Sequence, residues 1–244
     1  MFDGLTIGKS SDFKKHLNKY DVIHIDVQWF LSSCADIKSI ISYITQSVFE
    51  ELKEYYPEVL PNEVLTLADA LSRIRNSTGQ KFIVIIDEWD ILIRDEATNK
   101  AVQEEYIYFL RGLFKGTEPT KYIQLAYLTG ILPIKKEKTQ SALNNFDEFT
   151  MVSAGTLAPF IGFTEEEVKN LCEEYHKDFD KVKKWYDGYL LRDYQVYNPR
   201  AVVSVMLKGE FKSYWSETAS YEAIVPLINC LLYTSPSPRD PKTS

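Results

Sequence analysis

Phe82-Ile83-Val84-Ile85-Ile86 runs directly into Asp87-Glu88. An apolar run without polar alternation reads as a strand buried on both faces, so the paired acids emerge at its carboxyl end. Two adjacent carboxylates in that position suit two different jobs. Asp87 is a candidate ligand for Mg²⁺, an ion that takes one or two carboxylates and completes its shell with waters and phosphate oxygens. Glu88, one residue further on, is a candidate to orient or deprotonate an attacking water. The plainer alternative is a buried strand that ends in solvated acids. A second apolar run, Tyr122 to Leu128, ends in Thr129-Gly130 and brings a hydroxyl out at the same edge if the two strands are parallel neighbours. Ligands gather at the carboxyl ends of parallel strands, which makes Thr129 a candidate sensor of a phosphate or of the lytic water. Its alternative is a turn-forming threonine before a glycine.

Other features of the chain invite chemistry and support it less. Gly4-Leu-Thr-Ile-Gly8-Lys9-Ser10 superficially resembles a phosphate loop, but has three residues between its glycines where the loop uses four. Only Met1-Phe2-Asp3 precede it, where a phosphate loop needs a buried strand, so Gly8-Lys9-Ser10 reads as a solvated turn capping the next helix. His16, His24 and His176 are scattered, and Cys34 and Cys172 have no partner at metal-ligand spacing. Trp185, Tyr186, Tyr189, Tyr194 and Tyr197 read as the core of a small unit. Base stacking, with Lys181, Lys183 and Lys184 on phosphates, is their alternative reading. Lys135, Lys136 and Lys138 form a solvated basic turn, or contact phosphate.

The elements that must position these residues alternate between strand and helix signals, the pattern of an α/β domain with a mainly parallel sheet. Asp21 to Gln28 reads as a strand, and Asp36 to Tyr56 as a helix with Ile37, Ile40, Ile41, Ile44, Val48 and Leu52 on one face. Val64 to Arg75 predicts a second helix, Asn99 to Phe114 a third, and Asp147 to Val152 a weak strand. Near residue 160 the character changes. Thr164 and Glu167 have the spacing of a capping box, Asp187-Gly188 suggests the turn of a hairpin, and Asn198-Pro199 opens another helix.

Composition bounds the class. The chain is 45% hydrophobic and 26% charged with a net charge of -7, which suits a folded globular protein and argues against a wide phosphate-binding surface. No run is long and apolar enough to span a membrane and no signal sequence opens the chain, so the expected compartment is the cytoplasm. Residues 230–244 read as translated sequencing adapter rather than protein, because Cys230 to Asp240 matches a transposase-based library adapter codon by codon.

The acid-ended strand has the Walker B form, and five further motifs follow it in order. They are Leu128 to Ile134, Leu143 to Phe146, Ile161 to Val168, Trp185 to Tyr189 and Val196 to Pro199. Together they resemble the bacterial AAA-ATPase-like family, whose members pair the ATPase-like domain with a C-terminal PD-(D/E)XK nuclease-like domain. The resemblance implies a P-loop NTPase-like fold of the ASCE/AAA type, a three-layer parallel sheet followed by a small mostly helical subdomain. It implies a partial α/β domain over 1–159 and a lid-like subdomain over 160–229. It also implies ATP and Mg²⁺ as cofactors, Asp87 and Glu88 as Walker B acids, and Thr129 as the sensor. Family members carry a first strand and phosphate loop upstream of a segment like Phe2 to Leu5, so the chain is expected to be truncated at both ends and to lack turnover by itself. In the intact protein the expected function is ATP hydrolysis coupled to the nuclease-like domain, with nucleic acid as a possible partner of that domain. The contrasting expectation is a nucleotide-independent interaction scaffold that retains the architecture.

Overall fold

A computed structural model of the chain describes residues 2, 4–94, 99–132, 143 and 145–214. It divides after Glu148 into two compact units, ahead of the change in character near residue 160. Lys135, Lys136, Lys138 and the 230–244 tail lie outside the described residues.

In the first unit a turn of 3-10 helix (Thr6–Lys9) and a short helix α1 (Phe13–His16) precede β1 (Asp21–Asp26), α2 (Val27–Ser33), α3 (Ile40–Tyr55) and α4 (Leu67–Thr78). Strand β2 (Phe82–Asp87) comes next, then α5 (Ile91–Arg94), α6 (Lys100–Phe114), α7 (Pro119–Tyr122) and β3 (Ile123–Leu128). The three strands form one parallel sheet in the order β1-β2-β3, with Asp26 opposite Asp87 and Ile86 opposite Leu128. Strand β1 stops at Asp26 rather than Gln28, because the Asp26 carboxylate accepts the Trp29 N–H at 2.9 Å and starts α2. Helix α3 buries the stripe of Ile40, Ile41, Ile44, Val48 and Leu52 that its periodicity predicts. Helix α4 begins under a Thr66 cap and runs to Thr78, where Gly79 closes it in a left-handed conformation. No strand forms over residues 147–152.

One expectation about the sheet is corrected. Phe82, Val84 and Ile86 are buried in a core with Ile23, Ile25, Ile44, Leu71, Ile74 and Leu110, but Ile83, Ile85 and Asp87 on the other face are only half-buried. Their neighbours in register, Val22 and His24 on β1 and Leu125 and Tyr127 on β3, are exposed. Among the described residues, helices cover one face of this sheet, so the third layer is not formed by them.

The second unit carries a 3-10 segment (Gly155–Phe160), β4 (Phe163–Thr164), α8 (Glu165–Glu174), α9 (Phe179–Tyr186), β5 (Tyr189–Leu191), β6 (Tyr194–Tyr197) and α10 (Pro199–Lys208). The Thr164–Glu167 capping box opens α8, and Asn198 caps α10 with Pro199 in its first turn. The strands make a small antiparallel sheet ordered β4-β6-β5. The hairpin turn lies at Arg192-Asp193, not at Asp187-Gly188. Gly188 instead lets the chain pass close to β6, where an added Cβ would fall 2.1 Å from the Val196 carbonyl oxygen. Of the aromatic cluster, Tyr186 and Tyr197 are buried, while Trp185, Tyr189 and Tyr194 remain largely exposed.

Candidate functional site

The carboxyl edge of the parallel sheet gathers Asp26, Asp87 and Thr129. Because Asp26 pairs with Asp87 in register, both carboxylates lie on the half-exposed face. The Thr129 hydroxyl donates a hydrogen bond to Asp87 Oδ1, and the Glu88 N–H donates to the same oxygen at 3.1 Å. Main-chain bonds fix the neighbourhood: Thr129 N–H donates to Ile86 O at 3.0 Å, and Trp89 N–H donates to Thr129 O at 2.9 Å. Asp87 and Thr129 are thus held by the backbone ladder itself, the kind of rigid support a precise site requires. The three residues singled out by sequence, Asp87, Glu88 and Thr129, come together here.

Glu88 sits differently from Asp87. Its backbone is left-handed, with φ of +52°, a conformation that costs a non-glycine residue about 1–3 kcal/mol and persists only where its surroundings enforce it. Its carboxylate is ion-paired to Arg94 Nη2 of α5. The same guanidinium reaches Asp90 Oδ2 through Nε at 3.0 Å. Asp90 is fully buried. Its Oδ2 also accepts the N–H groups of Ile131 at 3.2 Å and Leu132 at 2.7 Å. Asp90 Oδ1 and the buried Tyr106 hydroxyl have no hydrogen-bond partner among the described residues. Burial and the Asp90 charge together push the Tyr106 hydroxyl far above the ordinary tyrosine range. Gly130 closes the junction, since a Cβ there would lie 2.5 Å from Asp90 Oδ1 and 2.6 Å from Trp89 Cδ1.

The donor set fits Mg²⁺ in its chemistry. Asp87 Oδ2 makes no hydrogen bond among the described residues and Asp87 is half-buried, leaving one hard carboxylate oxygen for a cation that keeps several waters. No cluster of three or more His, Cys, Asp or Glu side chains among the described residues has metal-holding geometry. Gly4 to Ser10 forms the 3-10 turn and a bend, and the Ser10 hydroxyl accepts the Asp12 N–H at 3.3 Å. Asp12, not Gly8-Lys9-Ser10, occupies the cap position of α1.

Sequence reasoning assigned no role to Asp26, Asp90, Arg94 or Gly130. Two signals were readable. Asp26 ends an alternating strand as Asp87 ends its own, and Asp90 and Arg94 stand four apart at the start of a helix.

A parallel sheet with helices packed on it and an acid pair at its carboxyl edge agrees with what the comparisons show. Residues 1–139 match the family described as "Predicted AAA-ATPase", and the chain belongs to that family. A curated relative, described as "Uncharacterized protein in vnfD 5'region" from Azotobacter chroococcum mcd 1, is 30% identical over 153 residues. That match covers 62% of this chain and 29% of the relative. The chain therefore spans less than a third of the length of the relative it matches. No helix among the described residues is long and apolar enough to cross a membrane.

Proposed function

We propose that the protein is an ATP-binding and hydrolysing module of the ASCE/AAA type, with Asp87 and Glu88 as its Walker B acids and Thr129 as its sensor. The observation that supports this most is the convergence of Asp87, Glu88 and Thr129 at one edge of a parallel sheet, with the Thr129 hydroxyl on the Asp87 carboxylate. Asp87 would hold Mg²⁺, which supplies charge neutralisation of the nucleotide phosphates when bound. Glu88 takes the proton of the attacking water or orients it. Thr129, anchored through both its N–H and its C=O, offers its hydroxyl oxygen as acceptor to the water, and its hydrogen would turn from Asp87 to reach the terminal phosphate. In the intact cytoplasmic protein, nucleotide state would be coupled to a nuclease-like domain acting on nucleic acid.

Turnover and nucleotide affinity of the intact protein test this reading. Glu88→Gln is expected to lower kcat by about a hundredfold while MgATP still binds, because general-base loss strikes the chemical step. Asp87→Asn is expected to weaken Mg-dependent binding itself. Unchanged hydrolysis in Glu88→Gln would remove the catalytic role, and a wild-type protein that binds no MgATP would leave a nucleotide-independent scaffold.

A further inference from the structure

We propose that Asp90 is a positioning residue of this site, acting on Glu88 through Arg94 and on the Thr129 turn through the main-chain N–H groups of Ile131 and Leu132. The inference rests on the hydrolase reading and names a residue that reading does not use. One buried carboxylate oxygen, Asp90 Oδ2, receives three donors, two from the segment after β3 and one from the guanidinium that holds Glu88. A buried charge is tolerated only when paired and hydrogen-bonded, so its partners are held more firmly than exposed pairs hold theirs. Arg94 is gripped from both sides, Nε by Asp90 and Nη2 by Glu88. A planar fork of that kind transmits orientation, which a flexible ammonium would not.

The surroundings narrow the alternatives. Glu88 has the left-handed backbone described above, so its side chain leaves the edge in a direction the strand alone would not give it. Without Arg94 its carboxylate would sample several rotamers. A Cβ at position 130 would fall 2.5 Å from the other oxygen of Asp90, so glycine there leaves the carboxylate its place between the two segments that carry Glu88 and Thr129. Asp90 touches none of the reacting groups and makes their separation constant. The Gln103 side chain adds a brace by donating to the Ile93 carbonyl at 3.0 Å, which ties α5 to α6.

Two measurements decide the matter. The first is amide hydrogen exchange on the nucleotide-free chain. Asp90→Ala should speed exchange at Ile131 and Leu132 by at least about tenfold beyond the rise at Val84 and Ile86, whose rates follow the global loss of stability, since local opening at the junction is added to it. Should that variant not fold, Asp90→Asn keeps the shape and an acceptor oxygen, and exchange at the same two amides should rise about threefold as the charge-assisted bonds weaken. A rise at Ile131 and Leu132 no larger than the rise at Val84 and Ile86 overturns the proposal.

The second measurement is steady-state hydrolysis by the intact protein. Asp90→Asn and Arg94→Gln should each lower kcat by about tenfold with MgATP affinity within about twofold of wild type. In a Glu88→Gln background Arg94→Gln should not lower kcat further, because it acts through Glu88, whereas Asp90→Asn should keep only the part of its loss that passes through the Thr129 turn. Full additivity of both variants with Glu88→Gln would remove the Arg94 route to Glu88 and overturn that part of the proposal. If the wild-type protein hydrolyses no ATP, the hydrolase reading falls, and the Asp90 link stands or falls on the exchange data alone.

Discussion

Two carboxylates in this chain each gather several partners, and they do opposite things. Asp90 of the first unit is fully buried and shares one oxygen among Arg94 and two backbone N–H groups. Glu165 of the second unit opens α8, keeps 29% of its side chain exposed, and pairs with Lys169 at 2.7 Å and Lys183 at 2.8 Å. By count of partners they look alike. Desolvation separates them, because a buried carboxylate left without partners has no water to replace them, whereas an exposed one is screened and resolvated at once. Asp90 therefore holds segments in place. Glu165 sits where acids favour a helix N-terminus and links α8 to α9 loosely.

That contrast sets the largest expected effect. Asp90→Ala should destabilise the protein by about 3–5 kcal/mol, since it strips Arg94 of a buried counter-charge and orphans two N–H groups. Glu165→Ala should cost about 1 kcal/mol or less. Urea unfolding of both variants measures the difference. Equal midpoints would show that burial is not what distinguishes the two clusters.

The packing around Asp90 sharpens the comparison at smaller scale. Gly130→Ala would place a methyl group 2.5 Å from Asp90 Oδ1 and 2.6 Å from Trp89 Cδ1. Overpacking of this kind costs about 1–3 kcal/mol. Gly112 supplies the control, because it lies within α6 and an added Cβ meets nothing within 4 Å. Gly112→Ala should stabilise by about 0.5–1 kcal/mol through helix propensity alone. Thermal melts of the pair decide, and a stabilising Gly130→Ala would mean that the junction gives way more easily than its contacts require.

How much of this was legible beforehand follows from the range of the interactions. The parallel sheet was readable because Phe82 to Ile86 and the stripe on α3 are written in consecutive residues with a clear period. The placement of Asp87, Glu88 and Thr129 at one edge of the sheet was readable for a related reason, each standing where an apolar run ends. The Asp90 junction was not, because its partners at Ile131 and Leu132 are about forty residues away and are backbone groups with no sequence signature. The left-handed backbone of Glu88 was equally hidden, since glutamate is not a residue that announces such a conformation. The misplaced hairpin turn shows the converse error. Asp187-Gly188 looked like turn chemistry, but the glycine is needed for close approach to β6, and Arg192 takes the left-handed position in the actual turn.

The smallest expected effects are those of pH, and they fall on different units at opposite ends of the scale. The ammonium groups of Lys169 and Lys183 hold the Glu165 carboxyl down at about 2, from an ordinary 4.5. A folded-state value below the unfolded one means that the associated stability is present above about 4.5 and is lost as pH falls toward about 2. In the first unit, burial and a hydrogen bond to Asp21 push the Tyr56 hydroxyl up to about 12 from 10.0. Here the sign reverses, and the contribution is complete below 10.0 and lost as pH rises through about 12. Glu165→Gln should therefore flatten the acid limb of a Tm profile and, because Glu165 also raises the Lys183 ammonium, soften the alkaline limb as well, while Tyr56→Phe should change the alkaline limb alone. Because Glu165 is partly solvated and screened, its limb should shrink further when salt is raised, whereas the more enclosed Tyr56 contact should respond less. A Glu165→Gln protein whose acid limb matches wild type at low salt would show that the lysine pairs on α8 and α9 contribute nothing to folding.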